Sequence, residues 1–464
     1  MVIRSFFTNS IGILVSRILG FIRDILTASI LGANLYSDIF FVAFKLPNLF
    51  RRIFAEGAFT QAFLPAFTRA TKKGLFAASV FLRFSFFILM LTLLVMVFTP
   101  WLTKLIAFGF DEATIALAAP LVRINFWYLL LIYGVTLAAS MLHYRGHFAT
   151  TAFSTALLNL AMIGALLLSN TQDPHQVAWN LSFGVLVGGV LQALTHLIAL
   201  KKFRLLKVFL GRIGRPKKSA TEPSFYRNFF HAVLGGSTAQ LSAFLDTWLA
   251  SFLAFGSISY LYYANRVFQL PLALFAIALS VAIFPNITKA LKREGEEKAR
   301  RFLEKGFWIL CYLLCAATLG GTLLSHEITW LLFERGSFGA KETLNTALVL
   351  QMYLVGLLPF GLARLFSLWL YANQMQARAA KISAFSLMVN IVLSLALIGP
   401  LEAAGLALAS SLSGVVLFAL TVHAYGTRAF LAIMRPQNII GLIGVLLATG
   451  ALVWIIKEIL RGYL

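Results

Sequence analysis

Apolar runs of about twenty residues recur along the chain, separated by short polar or basic turns, and that length is what a helix needs to cross hydrocarbon. Read by run length and by breakers, the pattern predicts helices near 5–31, 37–68, 76–107, 113–142, 148–169, 177–200, 226–254, 258–289, 299–323, 341–372, 378–399, 402–425 and 437–460. These are thirteen spans of an all-α polytopic membrane protein, because a backbone in lipid must satisfy its hydrogen bonds internally and no strand-like alternation is visible. The first apolar segment follows only Arg4 and lacks a small-residue cleavage site, so it reads as a retained span.

Composition agrees: of 464 residues 60% are hydrophobic and 12% charged, with a mean hydropathy of +0.85. The net charge of +22 would suggest nucleic acid in a soluble protein. Here the cations fall largely in short loops, where they read as topology signals and exclude nucleic acid as a partner. Between Lys201 and Arg227 nine Lys/Arg stand against the single acid Glu222. Loops at 69–75, 143–147, 201–225, 290–298, 373–378 and 426–436 are the basic ones, which places them, and the N-terminus, in the cytoplasm. Lys457 and Arg461, at the end of the last span, break the rule.

With the long basic loop as midpoint, an internal repeat emerges. Gly32 precedes Pro47 by fifteen residues and Gly256 precedes Pro271 by fifteen; Phe44 matches Phe268, and Leu46-Pro47 matches Leu270-Pro271. The expected organisation is an N-terminal six-helix lobe at 1–200, a basic linker at 201–225, a C-terminal six-helix lobe at 226–426 and an additional helix within 427–464. Parallel repeats of this kind are a transporter arrangement, with the substrate site expected between the halves.

Charges inside the first two spans carry the chemistry, since each costs roughly 2.5–3.5 kcal/mol at mid-bilayer depth. They are Arg17, Arg23, Asp24, Asp38, Lys45, Arg51, Arg52 and Glu56. Asp38, Lys45 and Arg52 are spaced by seven and share one helix face, which Glu56 extends. Pairing as Asp38–Lys45 and Arg52–Glu56 accounts for only part of the set. Arg266 lies five residues before Pro271 in the eighth span. An Arg-rich polar cavity suits an anion such as a phosphate or diphosphate, whose oxygens guanidinium forks bind bidentately. Asp246, with no basic residue within a helical turn, is either protonated or holds a cation, for which Asn390, Ser394 and Ser410 could add neutral oxygens. His143 and His147 have the spacing of a helical metal pair but no further ligand is apparent, Cys311 and Cys315 read as structural thiols, and no nucleotide-binding or nucleophile motif is visible.

The stretches Ser16-Arg17-Ile18-Leu19-Gly20-Phe21-Ile22-Arg23-Asp24 and Ser37-Asp38 through Pro47-Asn48-Leu49-Phe50-Arg51-Arg52-Ile53-Phe54-Ala55-Glu56-Gly57 closely resemble the signature of the MurJ (MviN) lipid II flippases. That family belongs to the multidrug/oligosaccharidyl-lipid/polysaccharide exporter superfamily. The resemblance covers roughly residues 1–426 and implies two six-helix lobes around a central cationic cavity, in a bacterial inner membrane. It further implies that function depends on Arg17, Arg23, Asp38, Arg51 and Arg266, that Arg23, Arg51 and Arg266 hold the lipid diphosphate, and that Asp24 orients it. Arg52 and Glu56 complete the substrate-binding set. A sodium site is implied at Asp246 and Asn390, with Ser394 where a second carboxylate is expected. Asn265 and Gln269 replace acids, and one helix follows the core where the family usually has two. No other cofactor and no enzymatic step is expected; lipid II, membrane lipids and cell-wall synthesis proteins are the expected partners. The alternatives are a flippase for O-antigen or another polyprenyl-diphosphate glycan, a multidrug exporter of the same superfamily, and a membrane glycosyltransferase.

Overall fold

The computed structural model describes residues 2–55, 58–170, 172–210 and 222–461. Among them nine helical stretches are long and apolar enough to cross a membrane, with Gln376–Tyr425, predicted as two spans, appearing once. By their internal contacts the residues form two compact units, Met1–Gly256 and Ser257–Leu464.

The first unit contains α1 (Val2–Leu31), α2 (Leu35–Ala55), α3 (Ala58–Arg69), α4 (Lys73–Val97), α5 (Thr99–Ile106), α6 (Glu112–Tyr144), α7 (Ala149–Leu167), α8 (Pro174–Lys202), α9 (Leu205–Leu210) and α10 (Glu222–Ala250). Local chemistry sets the starts. Asn34 Oδ1 accepts from the Tyr36 and Ser37 amides while Ser37 Oγ accepts from the Asn34 amide, a reciprocal cap that opens α2. Asp111 caps α6 through the Thr114 amide, and Asp173 followed by Pro174 opens α8.

Close approach then decides which helices pair. Gly12 of α1 lies against Ala152 of α7, and Gly188 of α8 against Leu158 of α7. α10, assigned by sequence to the second lobe, packs instead on α2, α3 and α5. The reason is aromatic: Phe225 and Phe229 of α10 meet the rings of Phe59 and Phe84, with Tyr133 of α6 completing the cluster. The contact boundary accordingly falls after Gly256 rather than at 225. Of the basic linker, Arg212, Arg215, Lys217 and Lys218 lie outside the described residues.

In the second unit, α11 (Ser257–Pro271) passes through a π-helical turn, Leu272–Ile277, into α12 (Ala278–Arg293). There follow α13 (Glu296–Leu323), α14 (Ser325–Phe333), α15 (Ala340–Val355), α16 (Leu357–Ala372), α17 (Gln376–Tyr425), α18 (Thr427–Leu431) and α19 (Pro436–Leu460). The π turn begins beside Pro271, whose missing amide disrupts the α-ladder. α17 is two helices joined at a kink where Glu402 takes φ +48°, two residues after Pro400. α19 lies on α13, joined by Tyr312 Oη to the Asn438 carbonyl and by the ion pair Glu304–Arg435 at 3.0 Å, and Lys457 pairs with Glu327 of α14 at 3.4 Å. Only Val453 of α19 is buried, as befits a helix otherwise facing lipid.

The repeat glycines behave alike. Gly32 and Gly256 both take positive φ, +76° and +96°, and each stands just ahead of the helix that carries its proline, Pro47 in α2 and Pro271 in α11.

The α17 kink yields a stability test. A Cβ on Gly405 would overlap the Leu397 carbonyl across the bend, whereas one on Gly399 meets nothing within 4 Å. Gly405→Ala is expected to destabilise the protein by about 1–3 kcal/mol, the usual cost of overpacking, and Gly399→Ala by much less. Thermal unfolding of the two variants in detergent checks this.

Candidate functional site

In the first unit the charged residues sit on α1 and α2, and packed neighbours set their orientation. Arg23 is buried, 7% exposed, on the face of α1 that meets α7. Its Nε and Nη2 reach Asp24 Oδ1 at 3.0 and 2.5 Å, and its Nη1 donates to Asn159 Oδ1 at 3.0 Å. Asn159 Nδ2 donates in turn to the Ser16 carbonyl, so α7 fixes both the guanidinium and the helix that carries it. Gly20 leaves room for this, since a Cβ there would come within 3.3 Å of the Asn159 amide. Asp24, 2% exposed, is therefore an ion-pair partner that aims Arg23. Arg17, by contrast, is exposed.

On α2, Asp38 occupies the first turn and is 2% exposed; its Oδ2 accepts the Gly256 amide at 2.7 Å. The carboxylate thus holds the backbone at the positive-φ glycine of the other repeat. Arg51 Nε and Nη2 both donate to Asn48 Oδ1, one turn earlier, at 3.1 Å. The Arg52 side chain and Glu56 lie outside the described residues.

Asp246, on α10 in the same unit, has a buried Oδ1 that meets no hydrogen-bond donor. Lys45 of α2 is the cation whose field acts on it, a partner from another element that spacing along α10 could not reveal. Sodium would take oxygen donors such as this unsatisfied carboxylate oxygen, at which Lys45 already supplies a positive field. Among the described residues no group of three or more His, Cys, Asp or Glu side chains is arranged to hold a metal.

The second unit carries the remaining candidates. Arg266 of α11 donates from Nη2 to Tyr262 Oη at 2.8 Å, and its guanidinium carbon lies 4.8 Å from the centre of the Tyr262 ring. Tyr262 precedes it by four residues and is therefore its natural helical neighbour. Asn265 and Gln269, where acids were expected, hydrogen-bond each other. Asn390 of α17 is buried and donates from Nδ2 to Ser410 Oγ at 3.1 Å; Ser394, one turn on, is buried with no partner for its hydroxyl.

Four residues that sequence reasoning did not single out therefore matter: Asn159, Asn48, Tyr262 and Lys45 in its role beside Asp246. Asn48 and Tyr262 stand three and four residues from the arginines they orient, a spacing visible in sequence. Asn159 is 136 residues from Arg23, and its only sequence signal is an amide in an apolar span.

Comparison with known proteins adds a family. The model of the family described as "Lipid II flippase MurJ" matches residues 27–463. A protein of Helicobacter pylori strain J99, named "Probable lipid II flippase MurJ", is 52% identical over 423 residues, 88% of this chain and 92% of that protein. A Haemophilus influenzae protein of the same name is 32% identical over 437 residues, 89% of this chain and 82% of its own length. Among solved structures, a lipid II flippase MurJ in an inward closed conformation superposes with a TM-score of 0.80 at 25% identity, covering 98% of this chain and 99% of that one. An inward-facing multidrug MATE transporter shares the fold, with a TM-score of 0.71 at 14% identity over 92% of this chain and 98% of its own. With nearly the whole chain matched, this protein belongs to the lipid II flippase MurJ family.

Proposed function

We propose that the protein is a transporter that moves lipid II, the undecaprenyl-diphosphate-linked peptidoglycan precursor, from the cytoplasmic to the outer leaflet of the bacterial inner membrane by alternating access. The observation that carries this reading is the set of guanidinium groups built into membrane helices and held in defined orientations: Arg23 by Asp24 and Asn159, Arg51 by Asn48, and Arg266 by Tyr262. Planar, permanently charged and already oriented, such forks lose little rotamer freedom on meeting a diphosphate, and their oxygen recognition is bidentate. In this proposal Arg23, Arg51 and Arg266 hold the diphosphate and Asp24 sets the pose of Arg23. The polyprenyl tail stays in lipid throughout, which avoids desolvating a long hydrocarbon chain in water.

No bond is made or broken in the cycle, so no catalytic residue is assigned. With the N-terminus and basic loops in the cytoplasm, the anionic headgroup travels outward down an inside-negative potential. That favours loaded export by about 2.3 kcal/mol per charge per 100 mV if the whole field is crossed. The emptied, cationic protein is drawn back by the same potential.

Arg23→Ala, Arg51→Ala and Arg266→Ala are each expected to abolish rescue of a strain depleted of its own flippase while leaving the protein in the membrane; growth of such strains would refute the diphosphate clamp. Asn159→Ala should weaken substrate binding about tenfold, as loss of one hydrogen bond to a charged group implies, in a titration with purified protein. Collapsing the membrane potential should slow the appearance of lipid II in the outer leaflet; an unchanged rate would rule out the electrical drive.

A further inference from the structure

Arg123 of α6 lies at the end of the first unit away from the basic loops, where cations are sparse, and no function described above uses it. It comes twelve residues after the Asp111 cap, about 18 Å along the helix axis. α6 has 33 residues, about 50 Å, against a hydrocarbon core of about 30 Å. With the excess shared between both ends, the Arg123 backbone stands about 8 Å inside the hydrocarbon boundary, within reach of headgroups for a long side chain.

Its surroundings form a built site. The side chain is exposed, yet its plane is fixed, because Nε donates to Thr99 Oγ1 at 2.9 Å. Thr99 is fully buried, and its hydroxyl is itself held by the Val95 carbonyl at 2.6 Å, so the acceptor cannot swing away. The two terminal nitrogens of Arg123 meet no acceptor, and no carboxylate pairs with it, among the described residues. Thr99 sits at the break between α4 and α5, and the surface there is apolar and aromatic: Phe98 and Trp101 are 53% and 78% exposed, and Trp127, one turn from Arg123 on α6, is 40% exposed. Tryptophans beside a cation are what a membrane–water boundary selects. The nearby Lys104 is already committed, donating to the Phe110 carbonyl at 2.7 Å over the Phe108 ring.

We propose that Arg123, with Thr99 fixing its plane, is a headgroup site for an anionic glycerophospholipid in the leaflet opposite the basic loops. One uncommitted guanidinium edge matches the single charge of a phosphodiester, and both outward nitrogens can bond its two free oxygens. The flanking tryptophans would pack the glycerol and upper acyl region. This site is separate from the arginines assigned to the transported diphosphate and does not depend on that assignment.

The test is native mass spectrometry of the purified full chain in detergent, titrated with phosphatidylglycerol, phosphatidylcholine or inorganic phosphate. The wild type should bind phosphatidylglycerol in preference to phosphatidylcholine, and phosphate at equal concentration should not displace it. Arg123→Ala should weaken phosphatidylglycerol binding about tenfold, the loss expected for a charged, two-point hydrogen bond. Arg123→Lys should fall between, and Thr99→Val should lower affinity while keeping the charge. Arg123→Gln, which keeps the stem and a donor, serves if the alanine variant does not fold, with the same loss expected. Equal phosphatidylglycerol binding by the wild type and the Arg123 variants would overturn the site. Full displacement by phosphate would show a free-anion site instead of a lipid site and overturn it equally.

Discussion

A charge placed in hydrocarbon must be solvated by the protein itself, and the Arg23–Asp24–Asn159 group is where that constraint is met most completely. Both ionic partners are almost wholly buried, and the third member comes from the neighbouring helix α7. Breaking a buried pair by removing one member typically costs 3–5 kcal/mol, because the survivor is left charged without a partner. Asp24 and Arg23 therefore cannot drift independently, and α1 cannot rotate against α7 without disturbing Asn159, which is tied to the Ser16 carbonyl as well. The packing of α1 and the aim of its guanidinium are one structural fact. Small residues at the α1–α7 contact, Gly12 and Gly20, are what allow it.

Such a group also separates two tasks that a chain of intramembrane cations must reconcile. Held wholly by carboxylates, the arginines would have no free energy to gain from an anion; held by nothing, they would draw in water or distort the helices. The observed partners include an amide at Arg51 and a phenol ring with its hydroxyl at Arg266, neutral groups that direct a guanidinium. Asp38 receives a backbone group, the amide of Gly256. Acids that look alike in sequence thus take different contacts, Asp24 aiming a guanidinium and Asp38 holding a backbone amide.

Much of the architecture was legible because it is written locally. Run length predicted the helices, and the Gly–Pro interval of fifteen marked two turns at positive φ, Gly32 and Gly256. What could not be read depends on contacts between distant segments. α10 belongs by packing to the first unit because Phe225 and Phe229 find the rings of α3, α4 and α6, and nothing within α10 states where those rings are. Asp246 looked isolated for the same reason, since Lys45 reaches it from α2. Asn48 and Tyr262 were within reach of helical spacing, whereas Asn159 was not.

The last helix shows how a local anomaly resolves once packing is known. Lys457 stands against the loop-charge rule, but it pairs with Glu327, and at the other end of α19 Arg435 pairs with Glu304. The two bases are 22 residues apart along α19, about 33 Å of helix and close to one hydrocarbon thickness, while the acids that meet them stand on successive helices, Glu304 on α13 and Glu327 on α14. Partners increase in number together, Trp308 with Ile433 and Tyr312 with Asn438 as well as the two ion pairs, which means that α13 and α19 run parallel. One ion pair therefore clamps each end of α19 near a membrane boundary, where charges are cheapest to keep and the apolar middle faces lipid. A helix with only Val453 buried has little packing to fix its height or direction, and these terminal pairs supply both. The position of Lys457 is thus set by its need to meet Glu327 on α14, just beyond the end of α13, a requirement that a loop-charge count does not contain.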